Sequence, residues 1–259
     1  MRTFIFLSLL LHSVFSQAEL EAGIGIGYAH VPDYFGSDEA EDYVLPVPYL
    51  RYRSEKLSID RNAIQGNLWQ SGHWSLELSF GGAIRVESDN NKAREGMDDV
   101  DFLGEAGPAL HYYFRGDRNN DNALFLVLPL RSAISTDFAS AAFRGATFNP
   151  VLNWRHSYRS KQLEVRSQLS TEVRSATAAY HDYFYGVEQK FATTERAQYS
   201  AGSGFGGYGV SYSLALIRDH YLAAGFLRYV DVSAADFADS PLVRQNTNLV
   251  FGVALVYLF

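Results

Sequence analysis

A chain of 259 residues without cysteine excludes a disulfide framework and any metal site built on thiolates. Its net charge of −7 argues against nucleic-acid binding, which needs clustered Lys and Arg to neutralise phosphates. Seventeen (17) Tyr and 18 Phe beside only 2 Met are unusual for a cytosolic enzyme and expected of a β-barrel bordered by aromatic girdles.

Arg2, the apolar run Phe4 to Leu11 and the small residues around Ala18 read as a secretory signal peptide cleaved after Ala18. Residues 1–18 are therefore left out of the fold, and 19–259 form one β domain. No cysteine sits near the cleavage point, which excludes a lipoprotein. Leu20, Ala22, Ile24, Ile26 and Tyr28 then alternate with Glu21, Gly23, Gly25 and Gly27, the period of a strand. Tyr43 to Arg53 is a second strand, which Pro46 and Pro48 demote to an edge, a bulge or a strand end. Leu57 to Trp69 reads as two short strands, Leu57 to Arg61 and Ile64 to Trp69, meeting near Asn62-Ala63.

Trp74, Leu76, Leu78, Phe80, Ile84 and Val86 form an outer face opposite Ser75, Glu77, Ser79 and Arg85. Phe102 to Arg115 and Ala123 to Ser135 are a pair of strands, with Leu124, Leu126, Leu128 and Leu130 pointing outward. Phe148, Pro150, Leu152 and Trp154 follow. Next, Leu163, Val165, Leu169 and Val173 oppose Glu164, Arg166, Gln168, Glu172 and Arg174, a strand that needs water on one side only. Tyr208 to Leu216 and Leu222 to Val230 alternate again. The last strand, Thr247 to Phe259, carries large apolar groups at every odd position from Leu249. A C-terminal strand ending in Phe with alternate aromatics resembles the sorting signal of bacterial outer-membrane barrels. Phe251, Leu255, Tyr257 and Phe259 are its expected assembly residues.

The linkers take turns in length. Short ones lie near Ser54-Glu55, Gln70 to His73, Gly116 to Asp121, Arg159 to Lys161 and Arg218 to His220. Long ones run Val31 to Asp42, Ser88 to Val100, Ala139 to Ala146, Ala176 to Gly202 and Asp231 to Gln245. This pattern predicts an all-β, transmembrane up-and-down antiparallel barrel, with short periplasmic turns and long extracellular loops. With both ends on one side the strand number is even, about twelve if Leu57 to Trp69 splits and ten if it is irregular. The last strand pairs with the first and leaves no open edge in the lipid.

Candidate chemistry is sparse. His181-Asp182 has Ser200 and Ser203 downstream, but no nucleophile elbow surrounds either serine, so no catalytic residue is assigned. Asp33, Asp38, Glu39, Glu41 and Asp42, and later Asp98, Asp99 and Asp101, offer oxygen ligands without EF-hand spacing; a solvated loop is the better reading, and no metal or cofactor is assigned. Gly202, Gly204, Gly206, Gly207 and Gly209 suit a bulge or tight curvature rather than a phosphate cradle. The lumen-facing charges Glu164, Arg166, Glu172 and Arg174 either line a solute path or pair across a narrow barrel and plug it.

Five loop motifs carry a family resemblance over essentially the whole mature chain. They are Pro32-Asp33-Tyr34-Phe35-Gly36-Ser37, Leu45-Pro46-Val47-Pro48-Tyr49, Tyr183-Phe184-Tyr185-Gly186-Val187, Tyr199 to Gly204, and Ala235-Asp236-Phe237-Ala238-Asp239-Ser240-Pro241-Leu242-Val243. In this order, ahead of a terminal Tyr257-x-Phe259, the chain resembles the MipA/OmpV family of Gram-negative outer-membrane proteins. Phe237 departs from the motif's usual small residue. The resemblance implies an envelope scaffold without enzymatic activity, linking a murein-degrading lytic transglycosylase to a penicillin-binding murein synthase. Its further expected partners are the barrel-assembly machinery and outer-membrane lipid or lipopolysaccharide. A narrow pore for small solutes, or a role in surface adhesion or osmotic response, is the alternative.

Overall fold

The computed structural model describes residues 19–53, 57–59 and 64–259. The expected signal peptide, and the turn expected at Asn62-Ala63, lie outside the described residues. Thirteen (13) β segments form one antiparallel sheet. They are β1 (Glu19–Pro32), β2 (Ala40–Arg53), β3 (Leu57–Ile59), β4 (Ile64–Ser71), β5 (Trp74–Ala83), β6 (Phe102–Arg115) and β7 (Ala123–Thr136). After these come β8 (Ala141–Phe148), β9 (Val151–Arg159), β10 (Glu164–Ala176), β11 (Gly204–Arg218), β12 (Tyr221–Asp231) and β13 (Thr247–Leu258).

Two of these segments are one wall stave. β7 pairs with β8 from Leu130 to Thr136 and with β9 from Ala123 to Val127, so β8 and β9 lie end to end. The break falls at Asn149-Pro150, where proline has no N–H to give to a ladder. Counting that stave once gives twelve strands, the larger of the two expected numbers. The pairing returns on itself: β13 bonds β1 from Gly23↔Leu258 to His30↔Phe251, and β10 bonds β11 along thirteen residue pairs.

The alternation sorts side chains as the sequence predicts. Ile24, Leu78, Phe80, Leu130, Leu152, Val210, Val253 and Leu255 lie exposed on the outside, an apolar surface that only lipid can cover favourably. Aromatic groups border it. Trp74, Tyr112 and Phe114 cluster beside the short turns, as do Tyr221, Tyr257 and Phe259. Tyr28 and Phe251 pack together toward the long loops.

Three expectations are corrected. The residues 139–146 are not a long loop: β8 begins at Ala141 and leaves only 137–140 as a turn. Its run of small residues carries too little hydrophobic contrast for a period to show. Val86 does not continue the outer face, because β5 ends at Ala83; Val86 turns inward, bridges Val100 and is buried. Within the loop from 177 to 203 lies a short helix, α1 (Ala178–Tyr185), one of eight residues and below the length at which a helical period can be read.

Candidate functional site

The long loops do not stand apart over the barrel mouth. Tyr34, Val86, Val100, Phe184, Tyr185, Val187, Ala201, Val232, Ala235, Phe237 and Leu242 pack into one buried apolar core, with Leu103, Ala133 and Val230 from the wall. Tyr34 Oη donates to the Leu242 carbonyl at 2.8 Å, and Tyr185 Oη donates to the Phe35 carbonyl at 2.8 Å. Ser240 Oγ donates to the Tyr185 carbonyl at 2.6 Å. Asn248, on β13, accepts from Gly36 N–H at 2.6 Å and donates to the Ser37 carbonyl at 2.8 Å. Arg94 enters the same core and donates to the Phe184 carbonyl at 3.0 Å. Four distant loops therefore share one set of buried hydrogen bonds, which makes the cap a folded unit rather than a set of mobile tips.

His181 sits inside this cap, 2% exposed, with its ring edge-on to Phe237. Its Nδ1 lies 2.9 Å from the Gly202 carbonyl, which can only accept, so Nδ1 carries the proton. Desolvation holds its pKa below the ordinary histidine value, although the Gly202 carbonyl and Asp236 favour the charged form. Asp182 is used locally, accepting from Ala201 N–H at 2.9 Å. Ser200 and Ser203 are exposed, so His181 is oriented toward backbone rather than toward a serine hydroxyl.

Below the cap, the lumen is crossed by charge at two levels. Near the short turns, Arg166 on β10 reaches Glu21 on β1 with contacts of 2.7 and 3.0 Å. It also pairs with Glu164, while Arg51 holds Glu21 at 2.8 Å and Tyr49 donates to it at 3.1 Å. On the opposite wall Glu77 is fully buried, accepting from Ser75 at 3.0 Å. Arg118, from the turn between β6 and β7, folds inward to within 3.3 Å of that carboxylate. Arg155 ties the turn down, donating to the Asn120 carbonyl at 2.6 Å.

Toward the cap, Glu105 accepts from Tyr180 at 2.8 Å and lies 3.5 Å from Arg131, which is itself held by Ser79 at 2.7 and 2.9 Å. Arg174 and Arg228 both pair with one carboxylate, that of Glu172. Their guanidinium groups also lie 4.5 and 5.3 Å from the ring of Phe35, which descends from the first loop. Between these two groups is a cavity of about 410 Å³ lined by Tyr43, Glu105, Arg131, Glu172, Arg174 and Arg228, with Tyr180 and Tyr185 as its roof.

The glycines of β11 make this arrangement possible. A β-carbon on Gly209 would stand 2.5 Å from Glu172 Oε1, so a side chain there would displace that carboxylate from its place between Arg174 and Arg228. Gly207 has φ +109° at the register shift between Arg174 and Ser175, the bulge expected of this glycine run.

A family model described as MltA-interacting protein MipA matches residues 24–259. The chain belongs to the MipA family. It is also similar to outer membrane protein Omp26La of Vibrio anguillarum, at 32% identity over 81 residues. That match spans 31% of this chain and 31% of the relative, less than a third of each. The ring of strands, its apolar outer band and both comparisons agree on an outer-membrane protein.

In this MipA-family barrel the motif residues converge. Pro32, Tyr34, Gly36, Ser37, Val187 and Ser240 are buried, and Tyr183 Oη accepts from Asp101 N–H at 2.7 Å. Gly186 lies at the end of α1, Asp236 accepts from Phe205 N–H at 2.8 Å, and Asp239 and Pro241 flank buried Ser240. The second motif instead belongs to β2, away from the cap. All four predicted lumen charges face inward, but at two levels: Glu164 and Arg166 below, Glu172 and Arg174 above. Phe251, Leu255, Tyr257 and Phe259 share the outer parity of the terminal strand. The acidic loop residues are engaged locally: Asp33 accepts from Asn91 at 2.7 Å, Asp42 meets His30 at 2.8 Å, and Asp99 meets Arg85 at 2.6 Å. Sequence reasoning missed Glu21, Arg51, Glu77, Glu105, Arg131 and Arg228 as network members. Their inward parity was available; their partners across the lumen were not.

Proposed function

We propose that this MipA-family protein is a non-enzymatic scaffold of the outer membrane, with its short turns and both strand termini toward the periplasm. Those turns dock a murein-degrading lytic transglycosylase and, through it, a penicillin-binding murein synthase. The observation that carries this reading is the obstructed lumen: the Arg166–Glu21–Arg51 network and the inward Arg118 fill it near the short turns, and the folded cap covers its other end. A barrel so filled is suited to present surfaces rather than to pass solutes. The family description, which names an MltA-interacting protein, supplies the class of partner.

The test is crosslinking in intact cells followed by purification of the barrel. Recovery of a lytic transglycosylase, abolished by replacing the turn 116–122 with a Gly-Ser linker, supports the proposal. Reproducible unitary currents from the purified protein in planar bilayers, with no murein enzyme recovered, would replace it with the pore reading.

A further inference from the structure

The inner face of the wall changes character between the two levels of charge. Paired residues of neighbouring strands share a face, so the register reads across β12, β13, β1 and β2 in three rows. They run Phe226–Gly252–Ala29–Tyr43, Ala224–Ala254–Gly27–Leu45 and Leu222–Val256–Gly25–Val47. Arg228 stands above the first row, and Glu21 and Arg51 stand below the last. Every residue of these rows has lumen parity, none is charged, and the Tyr43 hydroxyl is their one polar side-chain group. The interior of an outer-membrane barrel is ordinarily polar, so an apolar stretch four strands wide calls for an account.

These rows line a cavity of about 280 Å³ that no charged residue borders. Small residues make the space. A β-carbon on Gly252 would stand 2.7 Å from the Phe226 ring, and one on Gly27 would stand 2.7 Å from Val47 Cγ2. Those glycines let the ring and the valine lie down against the wall, while Ala29, Ala224 and Ala254 leave the centre open. Just below, Leu222, Val256 and Leu258 pack into a buried cluster with Val47 and Tyr49, which gives the cavity a floor. Phe226 points inward and is 43% exposed, so much of its ring has no packing partner among the described residues. Side chains normally fill the interior of so small a barrel; here they stop short.

The lining selects its occupant by what it lacks. Glu21 below is already held by Arg51 and Arg166, and Glu172 above by Arg174 and Arg228. A charged or strongly polar guest would give up its hydration and meet no free partner among the lining residues. Water is disfavoured for the same reason, since a buried water needs about two to four polar partners. An apolar cavity of about 150 Å³ stays dry and takes benzene, so this one has room for roughly ten non-hydrogen atoms. A membrane lipid, with several acyl chains and a polar head, exceeds that volume. We infer that the lumen holds a binding site for a neutral, apolar ring compound of that size, seated against Phe226 and the glycine rows. Contact with the Phe226 ring adds to the burial of apolar surface. The site lies between the charge levels, away from the short turns, and does not depend on the scaffold role.

The test uses the full barrel in phosphatidylcholine nanodiscs and the photoreactive probe 1-azidonaphthalene, with labelled residues mapped by peptide mass spectrometry. Probe dissolved in the lipid labels the outer face, so Leu227 and Val253 report partitioning while Phe226 and its inward neighbours report the site. Inward labelling is expected to saturate and to fall about tenfold under excess naphthalene, with outward labelling unchanged. A sulfonate of the same probe, which carries a charge, should label the inward set at least about tenfold less. Inward labelling that is absent, that naphthalene does not reduce, or that the sulfonate matches would each overturn the inference. Those comparisons all use the unaltered chain. Ala254→Leu fills the cavity and should cut inward labelling about tenfold, while outward labelling and heat-modifiable migration persist. Full inward labelling in that variant would put the probe elsewhere in the lumen, and the assigned site would be wrong.

Discussion

Tyr185 and Phe237 stack face to face, with ring centroids 3.6 Å apart and planes 7° from parallel. They come from different loops, one at the end of α1 and one after β12, and His181 packs edge-on against the same Phe237. The residue that departs from the family's small-residue motif is thus the one that fills the centre of the cap, 2% exposed.

Truncating it should loosen the cap without opening the barrel. Phe237→Ala removes a buried ring, a change that costs roughly 3–5 kcal/mol in a packed core. Limited proteolysis should then cut within 232–246 while heat-modifiable migration persists. A cap that stays as resistant as the unaltered one would mean that its hydrogen bonds, not this stack, hold it closed.

His181 makes the cap sensitive to acid. Its pKa is lowered in the folded state, chiefly by desolvation, so below the unfolded value of about 6.5 the unfolded loop binds more protons than the folded one. Stability therefore rises with pH through this window and is lost as pH falls from about 6.5 toward the depressed folded value. Protection factors in α1, observed amide exchange corrected for the intrinsic rate at each pH, should fall between about pH 7.5 and 5. In His181→Gln that fall should be reduced, whatever the variant's overall stability.

The lower charge network should be both a strut and an obstruction. Arg166→Ala leaves Glu21 with Arg51 and removes the link between opposite walls. Because Arg51 and Arg166 are largely buried, the expected loss is about 2 kcal/mol or more. It would be read as a lower urea midpoint for unfolding from micelles. Bilayer recordings of the same variant should show more frequent conducting events than the unaltered protein. A silent variant would place the block at Arg118 or at the cap.

The terminal aromatic separates assembly from stability. Phe259 is 80% exposed, and its N–H donates to the Ala22 carbonyl at 3.0 Å. Deleting Phe259 removes about 1 kcal/mol of hydrogen bonding, so refolding in detergent should be nearly unchanged. In cells the heat-modifiable fraction should fall several-fold. Equal losses in both settings would argue for a purely structural role.

Much of the barrel was legible because a strand's side-chain period is fixed by backbone geometry. Glu164, Arg166, Glu172 and Arg174 were assigned inward from alternation alone, and every one of them points there. The closure of β13 on β1 followed from the same logic, since an unpaired edge in lipid leaves backbone groups unsatisfied. Pro46 and Pro48, which read as an edge, a bulge or a strand end of β2, both lie within its continuous ladder to β1. Alternation fails where residues are small, as in β8, or where the chain leaves the wall, as at Val86.

What the sequence determined, then, was the set of local choices: strand or turn, inward or outward, short connection or long. Tertiary structure decided which inward charges meet, because Glu21 and Arg166 are 145 residues apart and only closure of the ring brings them to 2.7 Å. It also decided that the five motifs do not act alike, four building the cap and one lying in β2 against β1. Periodicity is a property of neighbours along the chain, whereas a lumen and the partners that meet in it are properties of the closed ring.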